Sequence, residues 1–290
     1  MRLATLQFSS GERRVVGVNL SSAQFTYVDL HWSDPALPRS LHELLKVDPE
    51  LFHVRKAYEK SVSNQVFVEG KLTAPFERTE KIICIGLNYK DHAKETNSPI
   101  PEEPVIFGKF GNTIIGPDEA IKLPRLSQKV DYEAELVVVI GKPGKHIPVN
   151  KAFEHVAGYM CGHDVSARDW QKGRPGGQWL MGKTPDTFAP IGPWFVSADE
   201  IDHPQELAIR FRLNGETMQD GNTSAMIFPI PELIAHTSKL MTLSPGDLIF
   251  TGTPAGVGMA RTPQVFLKPG DVVEVEIERI GVLRNQVQAE

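Results

Sequence analysis

Val130-Asp131-Tyr132-Glu133-Ala134-Glu135-Leu136-Val137-Val138-Val139-Ile140-Gly141 sets two glutamates, two residues apart, at the mouth of an otherwise apolar run. Residues 136–140 read as a buried β-strand closed by Gly141. The period of two puts Glu133 and Glu135 on one face, with Cα atoms roughly 6.6 Å apart. Like charges that close, at the edge of a low-dielectric core, need a cation, a shared proton or bulk water. A divalent metal meets that need, and so does a solvated strand end.

Outward from this stretch, the chain from residue 80 onward is a series of short apolar strands punctuated by Gly and Pro. Residues 81–86, 105–109, 133–140, 156–164, 207–213, 248–251 and 272–277 qualify. Asn214-Gly215 is a hairpin signal, and Ser244-Pro245-Gly246-Asp247 and Lys268-Pro269-Gly270-Asp271 each launch a strand. Helices are sparse, over 90–95, 166–172 and 230–240. Ahead of them, residues 1–72 read as a small N-terminal α/β unit. It has strands over 2–8 and 15–20 and a helical stretch over 40–58 interrupted at Asp48-Pro49. The polar, Pro-bearing segment 71–75 is the junction, so the second unit spans 73–290. The expected class is α+β and β-rich, without repeating βαβ units. There is no GxGxxG or Walker A sequence, which argues against a nucleotide fold.

The 290 residues carry a formal net charge of -5, which leaves no basic footprint for nucleic acid or an anionic membrane. A small soluble substrate or a protein partner is the default. Cys84 and Cys161 lie in apolar surroundings without zinc-like spacing and read as buried thiols in a reducing compartment. No apolar stretch approaches the length of a membrane span, and the first eight residues alternate like a strand. A soluble cytoplasmic protein is expected, or a mitochondrial one where a presequence precedes this stretch.

Three further constellations bear chemistry. Asp164 ends an apolar strand before a helix, where it can point off the sheet edge as a third carboxylate or cap that helix. Three carboxylates suit a hard cation, Mg²⁺ or Mn²⁺, with Ca²⁺ possible. His92 and Glu95 lie one helical turn apart, so the carboxylate can orient the imidazole as a general base; a surface helix with an incidental pair is the alternative. Lys183 sits in an apolar neighbourhood, where it can stabilise a developing enolate or be a surface lysine. The Gly-rich segment 251–258 can present backbone N–H groups to an anionic ligand, or be a tight turn.

Together these segments resemble the fumarylacetoacetate hydrolase superfamily over nearly all of residues 75–290. The motifs are Gly86-Leu87-Asn88-Tyr89-Lys90-Asp91-His92-Ala93-Lys94-Glu95, Pro104-Val105-Ile106-Phe107-Gly108-Lys109, Glu133-Ala134-Glu135, Asp164-Val165-Ser166-Ala167-Arg168-Asp169, Lys183, and Thr251-Gly252-Thr253-Pro254-Ala255-Gly256-Val257-Gly258. Within the superfamily, Ser166-Ala167-Arg168-Asp169-Trp170-Gln171 and the small N-terminal unit are most similar to the "domain-containing protein 2" branch. The resemblance implies a mixed β-sandwich roll, a homodimer, and one Mg²⁺ or Mn²⁺ held by Glu133, Glu135 and Asp164. It implies His92 with Glu95 as a water-activating dyad and Lys183 as an enolate contact. Lys109, Arg168, Gln171 and Thr253 are implied as substrate-binding residues.

The activity so implied is metal-dependent hydrolysis of a C–C bond in a small 2,4-dioxo acid, of the fumarylacetoacetate, fumarylpyruvate or acylpyruvate type, through an enolate held at the metal. Oxaloacetate keto–enol tautomerisation or decarboxylation uses a related enolate and is the alternative. A non-catalytic, metal-stabilised binding protein is the alternative of another class. Leu87 stands where acylpyruvase-type relatives often carry Arg, which weighs against release of pyruvate. The branch resemblance points to the tautomerase.

Overall fold

The computed structural model describes residues 1–20 and 25–290. Its central strand, Ala134–Ile140, is buried at all seven positions. Leu136, Val138 and Ile140 enter one hydrophobic core with Phe211, Val275 and Leu283. Val137 and Val139 enter a second with Leu3, Phe195 and Phe250. Burial on both faces is why this segment reads as a continuous apolar run rather than an alternating one.

The strand lies between Val156–His163 and Leu248–Phe250 in a twelve-stranded mixed sheet. On one side the sheet continues through Ala189–Ser197 to Arg2–Gln7 and Arg13–Asn19, and on the other through Ile82–Gly86 to Val105–Lys109. A second, five-stranded sheet runs in the order Glu216–Asn222, Ala208–Leu213, Val272–Ile277, Gly281–Ala289 and Ala120–Leu123. The first core fills the space between the sheets, with side chains from both. The result is a β-rich α+β sandwich, as expected. At the Asn214-Gly215 hairpin Leu213 pairs with Glu216, and both turn residues take positive φ, 53° and 84°. That is the conformation for which Asn-Gly is suited.

Several elements depart from the sequence expectation, each for a local reason. The helical stretch 40–58 breaks near Asp48-Pro49 as expected, into Leu41–Val47 and Phe52–Ser63, but its second helix runs on past residue 58 to Ser63. Between them the Asp48 carboxylate accepts hydrogen bonds from the amides of Phe52, His53 and Val54, starting the second helix afresh. The strand placed at 133–140 starts at Ala134, so Glu133 sits in the break after the short strand Val130–Asp131. The helix placed at 166–172 is only Arg168–Gln171, because Ser166–Ala167 pairs with Val130–Asp131. Its N-cap is Ala167, so Asp164 does not cap it. Cys84 and Cys161 are buried and unbridged.

The N-terminal strands join the large sheet edge to edge, with Leu3 in register with Phe195. Lys71–Thr73 pairs back onto Arg2–Gln7. The helices Leu41–Val47 and Phe52–Ser63 place Leu41, Leu44, Leu45 and Val54 in the same core as Phe195, Val137 and Phe250. We propose the boundary at 72/73 as the division between a small docked unit and the larger one. Since Phe195 belongs to the shared core, Phe195→Ala should cost about 3–5 kcal/mol in a single urea transition seen alike by fluorescence and circular dichroism. Two separate transitions would show that the units fold independently.

Candidate active site

The strand Ile82–Gly86 leads through Leu87, whose φ of 53° turns the chain, into the helix Lys90–Glu95. Asn88, fully buried, pins this turn. Its side-chain amide donates to the carbonyls of Thr251 (2.7 Å) and Phe228 (3.1 Å), and its oxygen accepts from the Phe228 amide. One turn of helix brings His92 Nδ1 to 2.7 Å from Glu95 Oε1. The other Glu95 oxygen accepts from the Gly256 amide at 2.8 Å. A carboxylate held at both oxygens keeps the imidazole proton on Nδ1 and leaves Nε2 free to take a proton. His92 lines a cleft of about 70 Å³.

Opposite His92 stand Glu133, Glu135 and Asp164, which offer one oxygen each within 4.8 Å of one another. Three cations surround them. Lys183 Nζ bridges Glu133 Oε2 (2.7 Å) and Asp164 Oδ2 (2.6 Å). Arg168 donates from Nη2 to Glu133 Oε1 (2.7 Å), from Nε to Asp131 Oδ2 (2.8 Å) and from Nη1 to Gln171 Oε1 (2.9 Å). Lys109 Nζ lies 2.8 Å from Asp164 Oδ1. Burial opposes ionisation of Glu133, but Arg168 and Lys183 outweigh it and hold its carboxyl far below the usual range. Glu135 has no such partner. Burial, together with Asp164 and Glu133, pushes it well above the usual value. For Lys183 burial is outweighed by Asp164 and Glu133, which keep the ammonium charged.

The Gly-rich segment turns out to serve the protein's own acids. The amide of Gly252 donates to Glu135 Oε2 (2.7 Å), that of Gly256 to Glu95, and those of Gly258 (2.7 Å) and Met259 (3.0 Å) to Asp131. The alternative expected for this segment, an anionic ligand on its amides, therefore does not apply to these four. Gly252 and Gly256 adopt φ of 95° and 110°, and a Cβ on Gly256 would meet the Met218 carbonyl at 2.2 Å. Glycine is required there.

The fold thus brings His92, Glu133, Glu135, Arg168, Gln171, Lys183 and Thr253 to one cleft. Glu95 stands behind His92, and Asp164 is wholly buried. Lys109, expected to contact substrate, is instead beneath the carboxylates. Its side chain is sealed from solvent, and its ammonium donates to the carbonyls of Val165, Lys183 and Phe188. That ammonium also pairs with Asp164 Oδ1. Three buried carboxylates, of which Glu135 alone has no cation beside it, form an all-oxygen donor set that fits a hard divalent cation.

Sequence reasoning missed three residues of this site. Asp131 collects four donors, from Arg168 and the amides of Tyr132, Gly258 and Met259. Its signal was available, as a charge opening the same apolar run. Gln219 accepts from the Ala134 amide and donates to Thr253, and nothing in its local sequence marks it. Asn88 was quoted within a motif but given no role.

Comparison with known proteins agrees with this architecture. Residues 81–288 match the fumarylacetoacetate (FAA) hydrolase C-terminal family, and the chain belongs to that family. It is 47% identical over 290 residues to "Oxaloacetate tautomerase fahd2, mitochondrial" of Xenopus laevis, covering 99% of this chain and 90% of that protein. It is 48% identical over 261 residues to "Fumarylacetoacetate hydrolase domain-containing protein 2" of Pongo abelii, covering 90% of this chain and 83% of that one. Among solved structures, the fumarylacetoacetate hydrolase of Exiguobacterium antarcticum superposes with a TM-score of 0.84 at 36% identity, each chain covered in full. No helix among the described residues is long and apolar enough to cross a membrane.

The electrostatics yield a stability test. A carboxylate raised above its ordinary value of 4.5 loses folding free energy as pH climbs from that value toward the folded-state one. Glu135→Gln keeps an acceptor for the Gly252 amide and removes the charge. In metal-free protein at pH 7 it should therefore raise stability. The gain should vanish at pH 4, and urea denaturation at the two pH values checks it.

Proposed function

We propose that this chain is a divalent-metal-dependent enzyme of small 2-oxo acids and that its reaction is keto–enol tautomerisation of oxaloacetate. The observation that carries the reading is 47% identity along 99% of the chain to a protein named oxaloacetate tautomerase. The cleft supplies what the reaction requires, a base in its wall and donors for a dianion.

Glu133, Glu135 and Asp164 would hold Mg²⁺ or Mn²⁺, and Ca²⁺ suits the same oxygens. A cation bound there supplies Lewis-acid polarisation of the 2-oxo group and a template for the neighbouring carboxylate. His92 Nε2 takes the C3 proton of the keto form and delivers it to the enolate oxygen, giving the enol, and the same proton travels from oxygen back to C3 in the reverse direction. Glu95 keeps Nδ1–H in place and stabilises the imidazolium while the proton resides there. Lys183 offsets the negative charge that develops on the 2-oxo oxygen. Arg168, Gln171 and Thr253 bind and orient the acid. The wall of Trp179, Phe107 and Met259 limits access of water.

Hydrolysis of a 2,4-dioxo acid is the second reading, supported by family membership and the likeness to the Exiguobacterium antarcticum hydrolase. In that reading the same dyad activates water rather than removing a C–H proton. A homodimer is proposed on the family resemblance. The names of the tautomerase relatives place them in mitochondria, which supports the organellar reading over the cytoplasmic one.

The decisive assay follows the ultraviolet absorbance of enol oxaloacetate with Mg²⁺ or Mn²⁺, beside pyruvate release and cleavage of acetylpyruvate and fumarylpyruvate. Wild-type protein should speed the approach to keto–enol equilibrium without forming pyruvate, and chelation should abolish the effect. His92→Ala should lower kcat by roughly 10²–10⁴ while still binding metal. Cleavage of the dioxo acids with oxaloacetate left at its uncatalysed rate would establish the hydrolase instead. Pyruvate formation would establish a decarboxylase, and turnover of none a binding protein.

A further inference from the structure

Gln219 lies outside every motif considered so far, on the strand Glu216–Asn222 of the second sheet, and is 1% exposed. Its side-chain amide makes three hydrogen bonds. Oε1 accepts from the Ala134 amide at 2.9 Å, one residue from each of the two glutamates. Nε2 donates to the Pro254 carbonyl at 2.8 Å and to Thr253 Oγ1 at 2.7 Å. The first two partners have fixed roles. A backbone N–H only donates and a proline carbonyl only accepts, so the amide has one orientation and cannot flip.

That orientation dictates the Thr253 hydroxyl. Because Oγ1 receives a hydrogen from Gln219, its own hydrogen must point elsewhere. Among the described residues no acceptor takes it, and Thr253 lines the cleft. The other polar side chain at the cleft is set in the same way. Arg168 Nη1 can only donate, so Gln171 Oε1 is its acceptor and the Gln171 NH₂ is left for the cleft.

We propose that Gln219 is a positioning residue that holds the Thr253 hydroxyl with its hydrogen directed into the cleft. The cleft thereby favours ligand oxygens that are strong acceptors, namely those of carboxylates and 2-oxo groups, over groups that only donate. This rests on the reading of the cleft as a 2-oxo acid site and specifies which oxygens it recognises. A strand of the first sheet, the loop that follows Leu248–Phe250 and a strand of the second sheet meet at this amide.

A double-mutant cycle tests it. Gln219→Glu is nearly isosteric but replaces the donor by an acceptor, so the Thr253 hydroxyl turns inward. Thr253→Val removes the hydroxyl. Each single change should raise the KM for oxaloacetate roughly ten- to a hundredfold, the range for a hydrogen bond to a charged group, with a smaller change in kcat. Gln219→Glu added to Thr253→Val should cost nothing further. A residue acting only on stability would cost the same in both backgrounds, and such additivity would overturn the proposal. If Gln219→Glu does not fold, Gln219→Met enters the same cycle, with the hydroxyl freed rather than reversed and the same non-additivity expected.

Calorimetric titration with oxalate in the presence of Mg²⁺ repeats the cycle without catalysis. Non-additive oxalate affinities in a protein that does not tautomerise oxaloacetate would sustain the positioning role while rejecting the tautomerase. Additive affinities in an active tautomerase would do the reverse.

Discussion

Four carboxylates, Asp131, Glu133, Glu135 and Asp164, are buried within one wall of the cleft, and three cations, Lys109, Arg168 and Lys183, stand against them. This imbalance is the constraint on which the rest of the site depends. Desolvating a carboxylate costs several kcal/mol, and only partners held in fixed geometry recover it. Glu133 and Asp164 have cations at both oxygens, whereas Glu135 has only the Gly252 amide. The carboxylate left without a cation is therefore Glu135, facing the cleft, and its raised proton affinity reflects that lack. A divalent cation would be the partner that it lacks, and in the proposed reaction a dianionic acid is what such a cation would attract. Stability of the metal-free protein is given up at the place where affinity for the metal is gained.

Backbone amides complete what the cations begin. The segment 252–259 donates to Glu135, Glu95 and Asp131 in turn, so one short loop orients a residue of the acidic cluster, the dyad carboxylate and the anchor of Arg168. An amide adds no charge and needs no side-chain ordering, so it can hold a carboxylate without further upsetting the balance. The conformations this requires, with φ of 95° at Gly252 and 110° at Gly256, explain the glycines of this stretch. They are there to bring the chain close to protein acids, not to a ligand's phosphate or carboxylate.

Much of this was legible in the sequence, and the limits of legibility have a physical pattern. Strands and turns were readable because apolar runs and Asn-Gly or Pro-Gly punctuation are local signals. The helix Lys90–Glu95 and its His92–Glu95 pair were readable because one turn of helix is a local geometry. Lys109 was misjudged because its residue type is compatible with either substrate or structure. Only the fold shows three carbonyls converging on its ammonium. Gln219 was invisible for a related reason. Its role comes from the Ala134 amide, eighty-five positions away along the chain, and from Thr253 and Pro254. Asp131 is the intermediate case, a charge in plain view whose four donors lie in three different segments.

The same geometry explains why related reactions can share this wall. In the proposed function, Glu133, Glu135, Asp164 and Lys183 together would favour an enolate, whatever bond is made or broken to reach it. Nothing in that cluster distinguishes loss of a proton from attack by water. The distinction has to lie across the cleft, in what His92 Nε2 can reach and in whether a water is admitted beside it. Leu87, at positive φ in the turn that leads to the helix carrying His92, lines that side together with Trp179, whose ring covers Gly86. An apolar residue there offers no hydrogen-bonding anchor for a nucleophilic water. In the proposed reaction, the choice between proton transfer and hydrolysis would then lie with the apolar side of the cleft.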